Sequence, residues 1–254
     1  MRIVVCIKGV PSDNWEFHYN EDNKMPLINE YQINSYDEYA IEEALRLAEQ
    51  IKGDNEVVLL TCGPEAFSGI LEIGLGMGGN RSIHIIDNQQ FNINKYEISC
   101  ALTEIIKNIS PDIVLMGKHS ADYPSHQVAA MVANMTEYAL ATDVVKITEI
   151  NETFLEVLRL VERGNIQKIK LERPVVLSVT KGINDPRYPS FKNVMIAKKK
   201  KTDKYLLKNL LKNYDLCSKL AINKIFELPA KQCKYIKGNT YEISKELIKI
   251  LNNR

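Results

Sequence analysis

From Ile3 onward the chain alternates short β-branched apolar runs with longer segments of helical period, and this alternation constrains the fold more than any other feature. Ile3 to Ile7 is a continuous apolar, β-branched run, as expected of a strand buried on both faces of a parallel sheet. The segment Asp37 to Lys52 places Ala40, Ile41, Ala44, Leu45, Ala48 and Ile51 on one helical face, and Gly53 follows as a stop. Glu56–Thr61, Ser82–Ile86 and Asp112–Met116 read as further strands, with helices over Pro64–Gly74, Ile93–Ile109 and Pro124–Asn134. A strand–helix alternation of this length predicts an α/β fold: a doubly wound, mostly parallel, Rossmann-like sheet with helices on both faces and right-handed crossovers.

Beyond Thr142 the pattern changes to β-rich segments, Val144–Ile150, Phe154–Val161, Ile166–Leu171 and Val175–Thr180, expected to extend or edge the sheet. From Lys181 the chain turns at Asn184-Asp185-Pro186, becomes Lys-rich and closes with a helix near Tyr241–Leu251. The reading is a nucleotide-binding domain over 1–181 and an extended arm over 182–254. The tail from Lys192 carries 15 Lys and 1 Arg against 5 acids, or +11, so the rest of the chain carries −10 beneath an overall +1. A solvated face, docking on an acidic partner surface and a nucleic-acid patch are the three readings of such a tail. Lys198–Lys201 has no interleaved aromatic or arginine, so nucleic acid is not an expected partner. With 45% hydrophobic residues the chain can bury a sizeable core, yet no run approaches the roughly 18 apolar residues of a membrane span. Neither a membrane span nor a signal peptide is expected, and the expected location is cytoplasmic. The five scattered cysteines contain no CxxC pair and read as reduced, mostly buried thiols.

Gly74-Leu75-Gly76-Met77-Gly78-Gly79 matches the G-x-G-x-x-G fingerprint formally, but these glycines close a helix and precede a strand, the reverse of what phosphate binding requires. They are read as a helix stop and tight turn. His119, Asp122 and His126 do not have the spacing of a known metal motif, nor do Ser120, His119 and Asp122 match a nucleophile motif. Topology is more informative. In doubly wound sheets ligands bind beyond the carboxyl ends of strands where the strand order reverses. If the first and fourth strands are neighbours, Cys6-Ile7-Lys8 and Gly117–Val128 line one crevice. Gly117 would let a ligand approach the backbone, and N–H groups around Ser125–Val128 could hold phosphate oxygens. An ordinary loop and capped helix is the alternative at this stage.

Several strings nevertheless resemble, in order, the β (small) subunit of electron transfer flavoproteins. They are Val4-Val5-Cys6-Ile7-Lys8, the run Ile33–Leu47, Cys62-Gly63-Pro64, Gly76–Arg81, Gly117–Asp122 through Gln127, and Asn184–Phe191 ending in Ala197–Lys200. The region Val157–Ser178 resembles the family's signature segment, with Glu162, Gly164, Gln167, Ile169 and Pro174–Ser178 in place and Arg163 departing from it. The resemblance is collinear from about residue 3 to about residue 200, and looser beyond.

The resemblance implies half of a heterodimer whose α subunit carries most of an FAD, and which moves electrons from a dehydrogenase, of acyl-CoA dehydrogenase type or other, to an acceptor. It implies an electron carrier without catalytic residues, and a second nucleotide in this chain: AMP in simple carriers, FAD in electron-bifurcating ones. Carried over by position, its contacts are Cys6, Asn34, Ser35, Tyr36, Asp37, Cys62, Gly117, Lys118, His119, Ser120, Ala121, Asp122, Tyr123, Pro124, Ser125, His126, Gln127 and Val128. Tyr123 and Ala129 stand where bifurcating members carry glycine, and both nucleotides stay open. The family's recognition loop maps to Asn184–Met195, with Phe191 as its apolar anchor and Arg187, Tyr188 and Met195 beside it; a core position is the alternative for Phe191. An adenine-nucleotide enzyme or sensor of related fold is the other functional reading, although neither a Ser-Gly-Gly-x-Asp-Ser loop nor a late Gly-Ser/Thr phosphate motif is found.

Overall fold

The computed structural model describes residues 1–13, 28, 30–87, 94–212, 214 and 235–252. The elements in chain order are β1 (Arg2–Cys6), β2 (Gly9–Pro11), β3 (Tyr31–Ile33), α1 (Ser35–Gln50), β4 (Glu56–Gly63), α2 (Ser68–Met77), β5 (Arg81–Ile86) and α3 (Lys95–Ile109). They continue with β6 (Ile113–Gly117), α4 (Val128–Thr136), β7 (Ala139–Ile150), β8 (Phe154–Leu160), β9 (Ile166–Glu172), β10 (Val175–Val179), α5 (Phe191–Ala197), β11 (Thr202–Leu206), α6 (Leu207–Leu210) and α7 (Thr240–Asn252).

Nine strands form one sheet in the order β11-β5-β4-β1-β6-β10-β7-β8-β9, and β2 and β3 make a separate antiparallel pair. All pairings are parallel from β11 to β7, while β8 and β9 add antiparallel strands. The fold is therefore the expected α/β, mostly parallel, doubly wound one. Both faces of the central strands are buried, as their unbroken apolar runs require. Ile3, Val5, Leu59, Leu115 and Leu177 face one core with α1 and α2, while Val4, Leu60, Val114 and Val176 face the other with α3 and α4.

Three expectations are corrected. The run Val175–Val179 lies neither at an edge nor beyond the sheet, because β10 inserts between β6 and β7 and all five of its residues are buried. The helix expected from Pro124 starts at Val128: His126 takes a left-handed φ of 56°, which a continuing helix cannot accommodate. The second helix begins after a 3₁₀ turn at Glu65–Phe67 and runs on to Met77.

The glycine run in the last turns of α2 and just beyond it has a packing explanation. A Cβ on Gly74 would sit 2.7 Å from Leu59, and Gly78, at φ 142°, ends the helix in a conformation that side chains rarely adopt. The stretch after Lys181 packs α5 on α2 and adds β11 as an edge strand beside β5, with Ala197, Leu207 and Leu211 buried. Cys6 and Cys100 are buried free thiols and Cys62 is half-buried; Cys217, Cys233 and the start of the third predicted helix at Ile93 lie outside the described residues. Among the described residues no helix is long and apolar enough to cross a membrane.

Leu115, wholly buried in the middle of β6 between β1 and β10, tests this architecture. Leu115→Ala is expected to lower stability by roughly 2–5 kcal/mol, read as a fall in the denaturant midpoint at unchanged slope. A change near zero would place Leu115 outside the core.

Candidate functional site

The chain runs from β1 outward to β4 and β5, then returns to the other side of β1 to form β6, so the strand order reverses between β1 and β6. That is the crevice position for ligands in such sheets. Three segments meet there: Cys6–Lys8 after β1, Asn34–Asp37 at the start of α1, and the loop from Gly117 into α4.

Two side chains at the start of α1 fasten these segments. Asn34, almost wholly buried, accepts from the Ala121 N–H (3.0 Å) and donates through Nδ2 to the His119 carbonyl (2.9 Å), while its own N–H donates to the Lys8 carbonyl (2.9 Å). Standing at the N-cap of α1, it makes no side-chain cap to the helix; its amide is spent on the loop. Asp37 Oδ2 accepts from the Lys8 N–H (2.8 Å) and Oδ1 from the Gly117 N–H (3.0 Å), joining the carboxyl ends of β1 and β6. Burial pushes the Asp37 carboxyl up to about 7, against the lowering effect of the Lys8, Asn34 and Gly117 hydrogen bonds.

Gly117 is required for a different reason than the sequence suggests. A Cβ there would lie 2.3 Å from Asp37 Oδ1 and 2.7 Å from Tyr36 Cβ, so it is α1, rather than a ligand, that approaches this backbone. The loop beyond carries most of the polar groups. Lys8 Nζ donates to Ser120 Oγ (2.9 Å) and to both oxygens of Asp122 (2.6 and 2.7 Å), and Ser120 Oγ bonds Asp122 as well. The rings of Tyr36 and His119 lie 4.4 Å apart, and those of His119 and His126 4.6 Å apart. His119 Nδ1 is buried without a hydrogen-bond partner, and burial, then the neighbouring His126, holds the ring below the ordinary histidine range.

Other residues of the predicted set are placed less centrally. Lys118 pairs with Asp143 of β7 while its N–H donates to the Val179 carbonyl (2.8 Å). Tyr123 is exposed and lies under Lys95 Nζ (3.7 Å to the ring centroid), which ties the loop to the start of α3. Pro124 and Ser125 lead to Gln127, which precedes α4, whose first turn leaves the N–H groups of Val128, Ala129 and Ala130 without intrahelical partners. Cys6 ends β1 and Cys62 lies near the end of the adjacent β4; burial first, then nearby carboxylates, pushes both thiols up, Cys62 to about 12. Neither is a reactive thiolate. Ser120 bonds Lys8 and Asp122 instead of His119, and among the described residues no three His, Cys, Asp or Glu side chains converge on a metal position.

The second predicted region, Asn184–Met195, is bolted down at its base and open at its tip. Asn184 is buried and donates to the Tyr39 carbonyl (3.0 Å) and to Glu43 (2.9 Å). Arg187 turns inward to Glu42 (2.8 Å) and Glu49 (2.7 Å) of α1. Burial would raise Glu42, but its hydrogen bonds from Arg187 and Arg46 outweigh that and hold it below the usual carboxylate range. Tyr188 and Phe191 are 92% and 82% exposed, which excludes the core position for Phe191, and Met195 and Ile196 extend the same apolar patch along α5. The α5 helix reaches this position because Gly76 of α2 leaves room for Val194 and Pro189, 3.1 and 3.2 Å from where its Cβ would be. Sequence reasoning put Lys8 on the crevice wall without giving its side chain a partner; the signal was a lone cation directly beyond an apolar strand.

Asp37 makes a pH prediction. An acid whose folded value stands near 7 against an ordinary 3.8 holds its proton more tightly when folded, so its contribution to stability is full at low pH and falls as the pH rises through that window. Wild type should therefore lose stability relative to Asp37→Asn between about pH 4 and about pH 8, read from chemical-denaturation midpoints of both proteins. A constant difference across that range would show that the carboxyl titrates as an exposed one.

Comparison with known proteins agrees with this architecture. The chain matches the family described as "Electron transfer flavoprotein domain" over residues 28–208. It is 36% identical over 227 residues to the electron transfer flavoprotein subunit beta of Bacillus subtilis (strain 168), covering 88% of this chain and 87% of that one. It is 32% identical over 202 residues to that of Bradyrhizobium diazoefficiens, covering 79% of each chain. With the human subunit of the same name identity is 27% over 246 residues, covering 95% of this chain and 94% of that one. On the reversed strand order, the loop it carries and these matches, the chain belongs to the electron transfer flavoprotein family as a β subunit.

Proposed function

We propose that this chain works as one half of a heterodimer with an electron transfer flavoprotein α subunit, and that its own crevice holds an adenine nucleotide, either AMP or the AMP portion of a second FAD. The observation that carries the reading is the three-segment crevice at the β1/β6 switch point, clasped by Asn34 and Asp37 and followed by the first turn of α4. Its donor set suits such a ligand. The orphaned Nδ1 of His119, the neighbouring Tyr36, His119 and His126 rings, tilted against one another at 44° and 51°, and the N–H groups of Val128–Ala130 supply a polar contact, aromatic surfaces and anion donors. Bound flavin would supply the redox chemistry. The chain's own residues bind and orient it and keep the site's shape, and none is assigned a catalytic role.

Two further surfaces support the assembly. None of the described residues of α7 is buried, and Leu247, Ile248, Ile250 and Leu251 are exposed on it, a face suited to docking on the α subunit at the end of the arm that runs from 182 to 254. Tyr188, Phe191 and Met195 form an apolar patch suited to a dehydrogenase, while Arg187 positions it from below.

The direct experiment co-purifies this chain with its α subunit, denatures the complex and counts the released nucleotides. Two FAD per heterodimer would identify a bifurcating-type carrier, and one FAD with one AMP a simple carrier. Absence of flavin would refute the reading. Phe191→Ala should slow electron uptake from the dehydrogenase roughly tenfold or more while leaving flavin content unchanged, as loss of an exposed aromatic anchor does. Unchanged transfer rates in a stopped-flow assay would remove Phe191 as the anchor.

A further inference from the structure

The crevice contains a cation whose backbone is held by buried partners and whose side chain is held by solvent-reachable ones. The Lys8 N–H donates to Asp37 and its carbonyl accepts from Asn34, so the main chain is held on both sides. The side chain extends from there across the mouth of the crevice to Ser120 and Asp122, and it is 41% exposed. Two other lysines stand near the loop, and each is engaged away from the crevice. Lys118 pairs with Asp143 on β7, and Lys95 lies over the outer ring of Tyr123. Lys8 is the one of the three whose ammonium pairs with a carboxylate of the nucleotide loop, Asp122, with Ser120 beside it.

A solvent-reachable pair of this kind contributes little to stability, commonly under about 1 kcal/mol, so exchanging it costs little. A phosphate group offers an ammonium more negative charge than a carboxylate and several acceptor oxygens. We infer that Lys8 is the phosphate-selecting residue of the crevice: its ammonium leaves Asp122 for the nucleotide phosphate, and Asp122 holds it in position until then. This rests on the nucleotide reading above. The base and sugar are held by other contacts, so Lys8 separates nucleotides from nucleosides and contributes nothing to recognition of adenine.

The test uses the full chain in complex with its α subunit, freed of the second nucleotide, and compares wild type with Lys8→Met by calorimetric titration of AMP and of adenosine. Wild type should bind AMP more tightly than adenosine. Lys8→Met should weaken AMP on the order of tenfold to a hundredfold, as expected for a lost charge-assisted hydrogen bond, and leave adenosine within about twofold. Equal loss of both ligands would make Lys8 a purely structural residue and overturn the inference, as would an undiminished preference for AMP in the variant; either result leaves the nucleotide reading standing. A wild-type complex that binds neither AMP nor FAD would remove that reading and the inference together.

Discussion

The carboxyl ends of β1 and β6 are held side by side by a single buried carboxylate, and the arrangement of the crevice depends on it. Asp37 accepts one N–H from each strand end, so the two strands open into the same space at a fixed separation. A parallel sheet supplies hydrogen bonds along its strands but none beyond their ends, where the chain must leave the ladder and still satisfy its backbone. Asp37 and Asn34 perform that task for the segments after β1 and β6. The cost is that a charged group sits where water is excluded, and its raised proton affinity is the signature of that cost. Gly117 belongs to the same device, because any side chain there would occupy the position of the Asp37 carboxylate.

The glycine run at the end of α2 serves a second junction by the same logic of close approach. Gly74 lets the helix settle on Leu59, Gly76 receives α5, and Gly78 turns the chain toward β5. Without Cβ atoms, α2 can be covered on one side by the sheet and on another by the segment that carries Phe191. Arg187, fixed to two glutamates of α1, completes the attachment. The exposed patch is thus tied to α1 and α2, and α1 is also the helix that clasps the crevice.

Much of the architecture was legible in the chain because buried parallel strands leave unbroken apolar runs, as β1, β4 and β6 show, while β5 interleaves Ser82 and His84 with its isoleucines. β10 shows the same signal in Val175-Val176-Leu177-Ser178-Val179; its central place was obscured by the three long strands that precede it, since sequence order says nothing of an insertion between β6 and β7. The start of α4 was misread because Pro124 resembles a first helical residue, while the left-handed turn at His126 falls on a residue type with no strong preference for it. β11 is a half-exposed edge strand among lysines, so its residues lack the apolar pattern of a strand. In the crevice, the loop and the Asn34–Asp37 string were legible through family resemblance. What they do for one another was not, because contacts such as Asn34 to Ala121 join positions far apart in sequence.

The exposed aromatic tip beyond Arg187 has a thermodynamic consequence. Asn184 and Arg187 are locked by folding, and Ser190 caps the short helix through Asn193, so the backbone beneath Tyr188 and Phe191 is already ordered in the free protein. Any partner closing over those rings therefore immobilises a few side-chain torsions and little main chain. Such a contact can be selective while burying little area, and it can form and dissolve quickly, because no segment has to fold before association or unfold before release.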